Sequence, residues 1–218
     1  MVAIVVALES EAKFFLENVE NAKNKVIGGK QITEGRVNGK KVVLALCGIG
    51  KVNAAMTTQL LIDTYSPNVI LNFGTCGGTN SSVVVKNYYA VDKCCQFDFD
   101  VSELDPVPVG YIQDYNSVYF YSKKTDFDFL KYSSLASADR FSDSKKDNEL
   151  INSMDCSLRD MEGGAIGEVC TANKVPFVMI KGVTDVYGSG TSGEQFYQNL
   201  TAVCGGFKEI IPKIISSL

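Results

Sequence analysis

The chain has 218 residues, of which 45% are hydrophobic, and a formal net charge of −4. That composition supports a buried core of one large domain, read here as residues 1–218. Only three arginines occur (Arg36, Arg140 and Arg159), so no basic stripe is available for nucleic acid. No apolar run approaches the length of a membrane span, and Met1 leads straight into a strand-like segment, which argues against a secretory signal. The seven cysteines are odd in number, lack a CxxC pair and sit mostly in apolar segments, as expected for reduced thiols in a cytoplasmic protein. Histidine is absent, which removes Ser-His-Asp and Cys-His catalysis and histidine-ligated metal sites. Acid–base chemistry then falls to carboxylates, or less often to Lys, Tyr or Cys, and neither a metal nor an organic cofactor is implied.

Val2 to Leu8 is a continuous apolar run that suits a strand buried on both faces. Glu9 to Val19 has helical character. Lys30 to Val37 and Lys40 to Leu46 flank Asn38-Gly39, a strong hairpin signal. Gly48-Ile49-Gly50 precedes a helix from about Lys51 to Tyr65, and Val69 to Phe73 reads as a buried strand ended by Gly74-Thr75-Cys76-Gly77-Gly78. Val83 to Val91 is strand-like, Phe97 to Gly110 is a loop carrying Pro106 and Pro108, and Val118 to Tyr121 is a short strand. Leu135 to Ala138 predicts another strand, followed by Asp139-Arg140-Phe141. Met161 to Asn173 predicts a helix, Pro176 to Val183 a strand with Thr184-Asp185 at its end, and the last helix runs from near Gly193 almost to Leu218. Alternating strands and helices with one early hairpin give an α/β fold, a three-layer sandwich with a mixed central sheet and helices on both faces.

In open α/β sheets ligands bind outside the carboxyl ends of the strands. Glu11, Thr75, Phe141 and Asp185 each follow a strand on this reading, and Glu162 joins them from a helix N-terminus. Asp160-Met161-Glu162 sets carboxylates beside a soft thioether, a pairing able to hold a sugar diol and cover a sugar face. Each position alone also fits a structural role: Glu9 and Glu11 beside the helix dipole, Asp185 as a turn or cap, Phe141 in a core. Cys76 reads as a packing residue, because no histidine exists to activate it.

Taken in order, Ala7-Leu8-Glu9-Ser10-Glu11, Cys47-Gly48-Ile49-Gly50-Lys51-Val52, Asn72-Phe73-Gly74-Thr75-Cys76-Gly77-Gly78, Ser137-Ala138-Asp139-Arg140-Phe141, Asp160-Met161-Glu162-Gly163-Gly164-Ala165 and Thr184-Asp185-Val186 resemble the nucleoside phosphorylase and nucleosidase superfamily. The likeness is greatest to methylthioadenosine/S-adenosylhomocysteine nucleosidases and spans nearly the whole chain. It implies cleavage of the N-glycosidic bond of a purine nucleoside. Asp185 then matches the acid that protonates the purine at N7, Glu162 with Met161 the ribose-binding pair, and Glu11 the acid that activates water. Phe141 matches the aromatic stacked on the base, with Ser142 reading the purine edge and Thr75, Cys76 and Gly77 lining the pocket. The resemblance further implies a homodimer in which a neighbouring subunit completes the sugar-substituent pocket, with Leu8, Ile49, Val101 and Leu104 as the candidate residues.

Phosphorylases of the superfamily commonly carry an arginine where this chain has Asn72, so water is the expected nucleophile. Lys181 stands where such nucleosidases usually have arginine, a change that keeps the charge and loses the planar fork. Phe97 stands where relatives often have histidine, Tyr187 to Glu194 is shortened, and the aromatic expected just before the last helix is missing. A phosphate-dependent phosphorylase and a non-catalytic nucleoside-binding protein are the alternatives on the same fold.

Overall fold

In the computed structural model, which describes residues 1–218, the apolar runs form the centre of a ten-stranded mixed sheet. Strands β1 (Val2–Val6), β4 (Lys40–Leu46), β5 (Val69–Gly78) and β10 (Phe177–Val186) lie parallel in the order β4-β1-β5-β10. Burial on both faces explains their unbroken Val/Ile/Leu composition. Alternate residues of β1 serve different cores. Val2, Ile4 and Val6 pack with α1 (Glu9–Leu16) and α5 (Ser192–Ser217), around Phe15, Phe73 and Phe207. Ala3 and Val5 belong to the second core, which Ala54 and Leu61 of α2 (Lys51–Tyr65) and Ile166 and Cys170 of α4 (Gly163–Ala172) complete. Helices thus cover both faces of this part of the sheet.

Beyond β10 the sheet turns back on itself. β10 pairs antiparallel with β6 (Tyr88–Gln96), β6 pairs parallel with β8 (Lys131–Ser137), and β8 pairs parallel with β9 (Leu158–Asp160). β9 then returns to the end of β5, where Gly77 faces Arg159 and Gly78 faces Leu158. The strands β5, β10, β6, β8 and β9 therefore close a ring, which removes an exposed edge. The other edge is built by hairpins, β4 to β3 (Lys30–Val37) and β3 to β2 (Glu20–Ile27). A two-residue strand, β7 (Phe120–Tyr121), adds to β6, and helix α3 (Lys145–Ser153) precedes β9. No helix is long and apolar enough to cross a membrane.

The Asn38-Gly39 turn forms with both residues at positive φ, 50° and 77°, the geometry that matches strand twist in a tight hairpin. Two expectations need correction, and three elements have no counterpart among them. The Gly74–Gly78 segment does not end its strand: it continues β5 and pairs with β10 and β9. The strand expected over Val83–Val91 begins at Tyr88. Glu20–Ile27 is a strand although almost every side chain is exposed; it is an edge strand with polar and charged residues and lacks an apolar alternation to read. Helix α3 and the three-residue β9 were not anticipated. α3 is mostly polar and starts from the Ser144 cap, whose hydroxyl accepts from Asp147 N at 3.1 Å.

Candidate active site

A cavity of about 650 Å³ opens at the carboxyl ends of β1, β5 and β10. Its walls include Glu11, Ile49, Thr75, Cys76, Gly77, Phe141, Met161, Glu162 and Asp185. Arg159, Asp160, Phe196, Tyr197 and Leu200 complete it together with Ala7, Leu8, Thr184 and Gly193. A recess at one end adds Phe97, Arg140 and Ser142.

One end is organised around Gly74. Glu11 reaches it from the first turn of α1, where its Oε2 accepts from Leu8 N at 3.0 Å in a capping interaction. Its Oε1 accepts from Thr75 N at 2.6 Å and from Thr75 Oγ1 at 2.7 Å. A side chain at Gly74 would come within 3.0 Å of this carboxylate, so glycine there is what lets Glu11 lie against the strand. Lys181 stands opposite Gly74 in the sheet register. It is buried and pairs with Asp160 Oδ2 at 2.8 Å. Burial opposes its charge, yet Asp160, Glu162 and Glu11 together hold its pKa above the ordinary lysine value. Asp160 also accepts from Gly163 N at 2.9 Å and from the Ser137 hydroxyl. Asp160 is thus the carboxylate that caps α4, which leaves Glu162 free to face the cavity. Glu162 Oε1 accepts from Gly50 N at 2.9 Å. Burial first, then the negative charge of Asp160, push the Glu162 pKa up to about 7, against the pull of Lys181 and the Gly50 N–H.

The other end is organised around Gly77, which lies between Asp185 on β10 and Arg159 on β9 in the register of three adjacent strands. A register shift between Val183 and Asp185 re-aims the Asp185 side chain. Arg159 Nη2 donates to Asp185 Oδ2 at 2.8 Å, and Thr184 Oγ1 donates to Oδ1 at 2.8 Å. A Cβ on Gly77 would sit 2.8 Å from both Arg159 Nε and Asp185 Oδ2. Burial raises the Asp185 pKa above the ordinary carboxylate value, while Arg159 and the hydroxyls of Thr184 and Ser192 work in the opposite direction. Beside this pair, Arg140 forks onto Asp147 at 2.9 and 2.8 Å and holds that carboxyl well below the usual range.

The structure brings most of the expected residues together. Glu11, Glu162, Asp185, Met161, Phe141, Thr75, Cys76, Gly77, Ile49 and Leu8 all line the cavity, and Ser142 lines the recess. One expectation changes. Lys181, expected to touch a ligand, does not line the wall and lies beneath it against Asp160. Val101 and Leu104, expected to serve a neighbouring subunit's pocket, lie outside this chain's own cavity, Leu104 being 85% exposed. Burial drives the Cys76 thiol far above the ordinary cysteine value, which keeps it a packing group. Sequence reasoning missed Arg159, Asp160 as the α4 cap, and the aromatic wall of Phe196 and Tyr197. The aromatic pair follows Gly193 by one helical turn, a spacing that could have been read from the sequence.

The family model of the Phosphorylase superfamily matches residues 1–216. Among curated proteins, the chain is 30% identical to a 5'-methylthioadenosine/S-adenosylhomocysteine nucleosidase of Geobacillus sp., covering 100% of this chain and 98% of that one. Among solved structures, a nucleosidase of that name from Neisseria meningitidis, in complex with methylthio-immucillin-A, superposes with a TM-score of 0.89 at 26% identity, covering 100% of this chain and 99% of the other. Futalosine hydrolase of Helicobacter pylori shares the fold, with a TM-score of 0.90 at 22% identity and 100% and 97% coverage. Matched over nearly its whole length, the chain belongs to the phosphorylase superfamily.

Proposed function

We propose that this protein is a purine nucleosidase that hydrolyses the N-glycosidic bond of methylthioadenosine and S-adenosylhomocysteine and releases adenine. The observation that carries the reading is the meeting of Glu11, Glu162 and Asp185 on one cavity whose wall also holds Met161 and Phe141. Bond cleavage builds positive charge on the sugar and negative charge on the base. Asp185, buried and raised in pKa, supplies a proton to the leaving base. Glu162 and Met161 hold the ribose, and Glu11, fixed by three donors, orients the attacking water and offsets charge on the sugar. Phe141 is 56% exposed and available to stack on the base.

Water is favoured over phosphate because each arginine is already engaged. Arg36 donates to Gly39 O, Arg140 pairs with Asp147, and Arg159 pairs with Asp185. Asn72 lies buried and donates to Val5 O at 2.9 Å. No guanidinium is therefore left to fork onto phosphate beside the sugar. Exposed Leu104 and Ile49 support a homodimer that closes the sugar-substituent end. Seven free and buried cysteines support a reducing, cytoplasmic setting. The two cores support a single three-layer domain over residues 1–218.

The test is adenine release from methylthioadenosine with and without phosphate. Equal release in both conditions, with free methylthioribose as product, is the expected result. Release that requires phosphate and yields a sugar phosphate establishes a phosphorylase instead. Tight binding with no product in either condition favours a nucleoside-binding protein.

A further inference from the structure

Arg159 is a buried cation that the nucleosidase reading does not use. Its two Nη atoms are fully committed. Nη1 donates to Gly78 O at 3.0 Å and to Asn148 Oδ1, and Nη2 donates to Asp185 Oδ2 and Ser192 Oγ, each at 2.8 Å. Ser192 in turn donates its hydroxyl to Asp143 at 2.8 Å. The guanidinium therefore joins four pieces of the cavity wall: the end of β5, helix α3, the start of α5 and Asp185 itself. Gly77 is the cradle of this arrangement, since any side chain there would displace both Arg159 and Asp185.

We propose that Arg159 is a positioning residue for departure of the base: it fixes the Asp185 carboxyl over Gly77 and governs when that carboxyl holds its proton. The inference rests on the role proposed above for Asp185. A guanidinium in direct contact favours the ionised carboxylate, whereas burial favours the neutral acid. The other groups around Asp185 do not replace this charge. Thr184 and Ser192 are neutral hydroxyls, Cys76 is a neutral thiol, and Asp143 lies behind Ser192. Lys181, on the same strand, is neutralised by Asp160 at 2.8 Å. Arg159 is thus the one cation in contact with Asp185. It restrains a carboxyl that burial alone would keep protonated, so that the proton is held loosely enough to be given away.

The experiment is a pH titration of the Asp185 carboxyl by 13C NMR in aspartate-labelled protein, with Asp185→Asn identifying the resonance. It is run on the wild type, on Arg159→Gln, which keeps an amide donor and loses the charge, and on Arg159→Lys, which keeps the charge. The expected result is a midpoint at least about one pH unit higher in Arg159→Gln and near the wild-type value in Arg159→Lys. The alkaline limb of the kcat profile moves with it, and plateau kcat of Arg159→Gln falls about tenfold as orientation is lost. An Asp185 midpoint unchanged in Arg159→Gln overturns the inference. The NMR readout does not depend on turnover, so a wild type that releases no base overturns the nucleosidase reading and leaves this test standing.

Discussion

The two ends of the cavity share a design and differ in charge. At each, a glycine of β5 makes room for an ionic group: Gly74 for the Glu11 carboxylate, Gly77 for the Arg159–Asp185 pair. Around Gly74, three acids (Glu11, Asp160 and Glu162) face one cation, Lys181. Around Gly77, one acid faces one cation in direct contact. A net negative wall suits positive charge growing on a sugar, and a carboxyl with a proton to give beside a cation suits negative charge growing on a base. The difference teaches that the cavity is polarised along the bond the proposed reaction breaks.

Breaking the Gly77 end has the largest expected effect. Asp185→Asn lowers kcat for adenine release about a thousandfold while circular dichroism still shows the wild-type fold; wild-type turnover contradicts the proton-donor role. At the opposite end, the raised Glu162 pKa links stability to pH. Between the ordinary carboxylate value of 4.5 and about 7, native Glu162 keeps a proton that the unfolded chain has released. Stability is therefore lost as pH rises through that window, by about 3 kcal/mol in all. In Glu162→Gln this part of the slope disappears, and denaturant melts at pH 5 and pH 8 report it; an unchanged slope excludes Glu162 as its source.

Smaller changes sharpen the contrast. Gly77→Ala forces a methyl group against Arg159 and Asp185 and costs about 2 kcal/mol in a chemical denaturation curve. Unaltered stability in that variant means that the strands yield more readily than the register suggests. Phe141→Ala removes the proposed stacking surface and raises KM about tenfold with kcat within about twofold; a fall in kcat alone places Phe141 elsewhere in the reaction.

Much of this site was legible in the sequence because its acids follow strand ends whose apolar runs are unmistakable. Val2 to Val6, Val69 to Phe73 and Phe177 to Val183 are buried on both faces, and that burial writes itself into composition. Glu11 and Asp185 could be placed near one another on that basis, and Glu162 joins them from the start of a helix. Arg159 could not, because its role depends on β9, a three-residue strand with no periodicity to detect, closing the ring onto Gly77. Asp160 and Glu162 compete for one helix start, and only geometry decides that Asp160 is the cap and Glu162 faces the cavity. Likewise β2, with its exposed polar residues, owes its conformation to pairing with β3 and not to burial.

The division of labour between the two ends is tested most directly with a riboside whose leaving group needs no proton. On 4-nitrophenyl β-ribofuranoside, Asp185→Asn is expected to retain kcat within about threefold of wild type. Glu11→Gln is expected to lose about a hundredfold on this substrate and on methylthioadenosine alike. Equal losses for Asp185→Asn on both substrates contradict the account, because they mean that Asp185 does something other than assist the departing base.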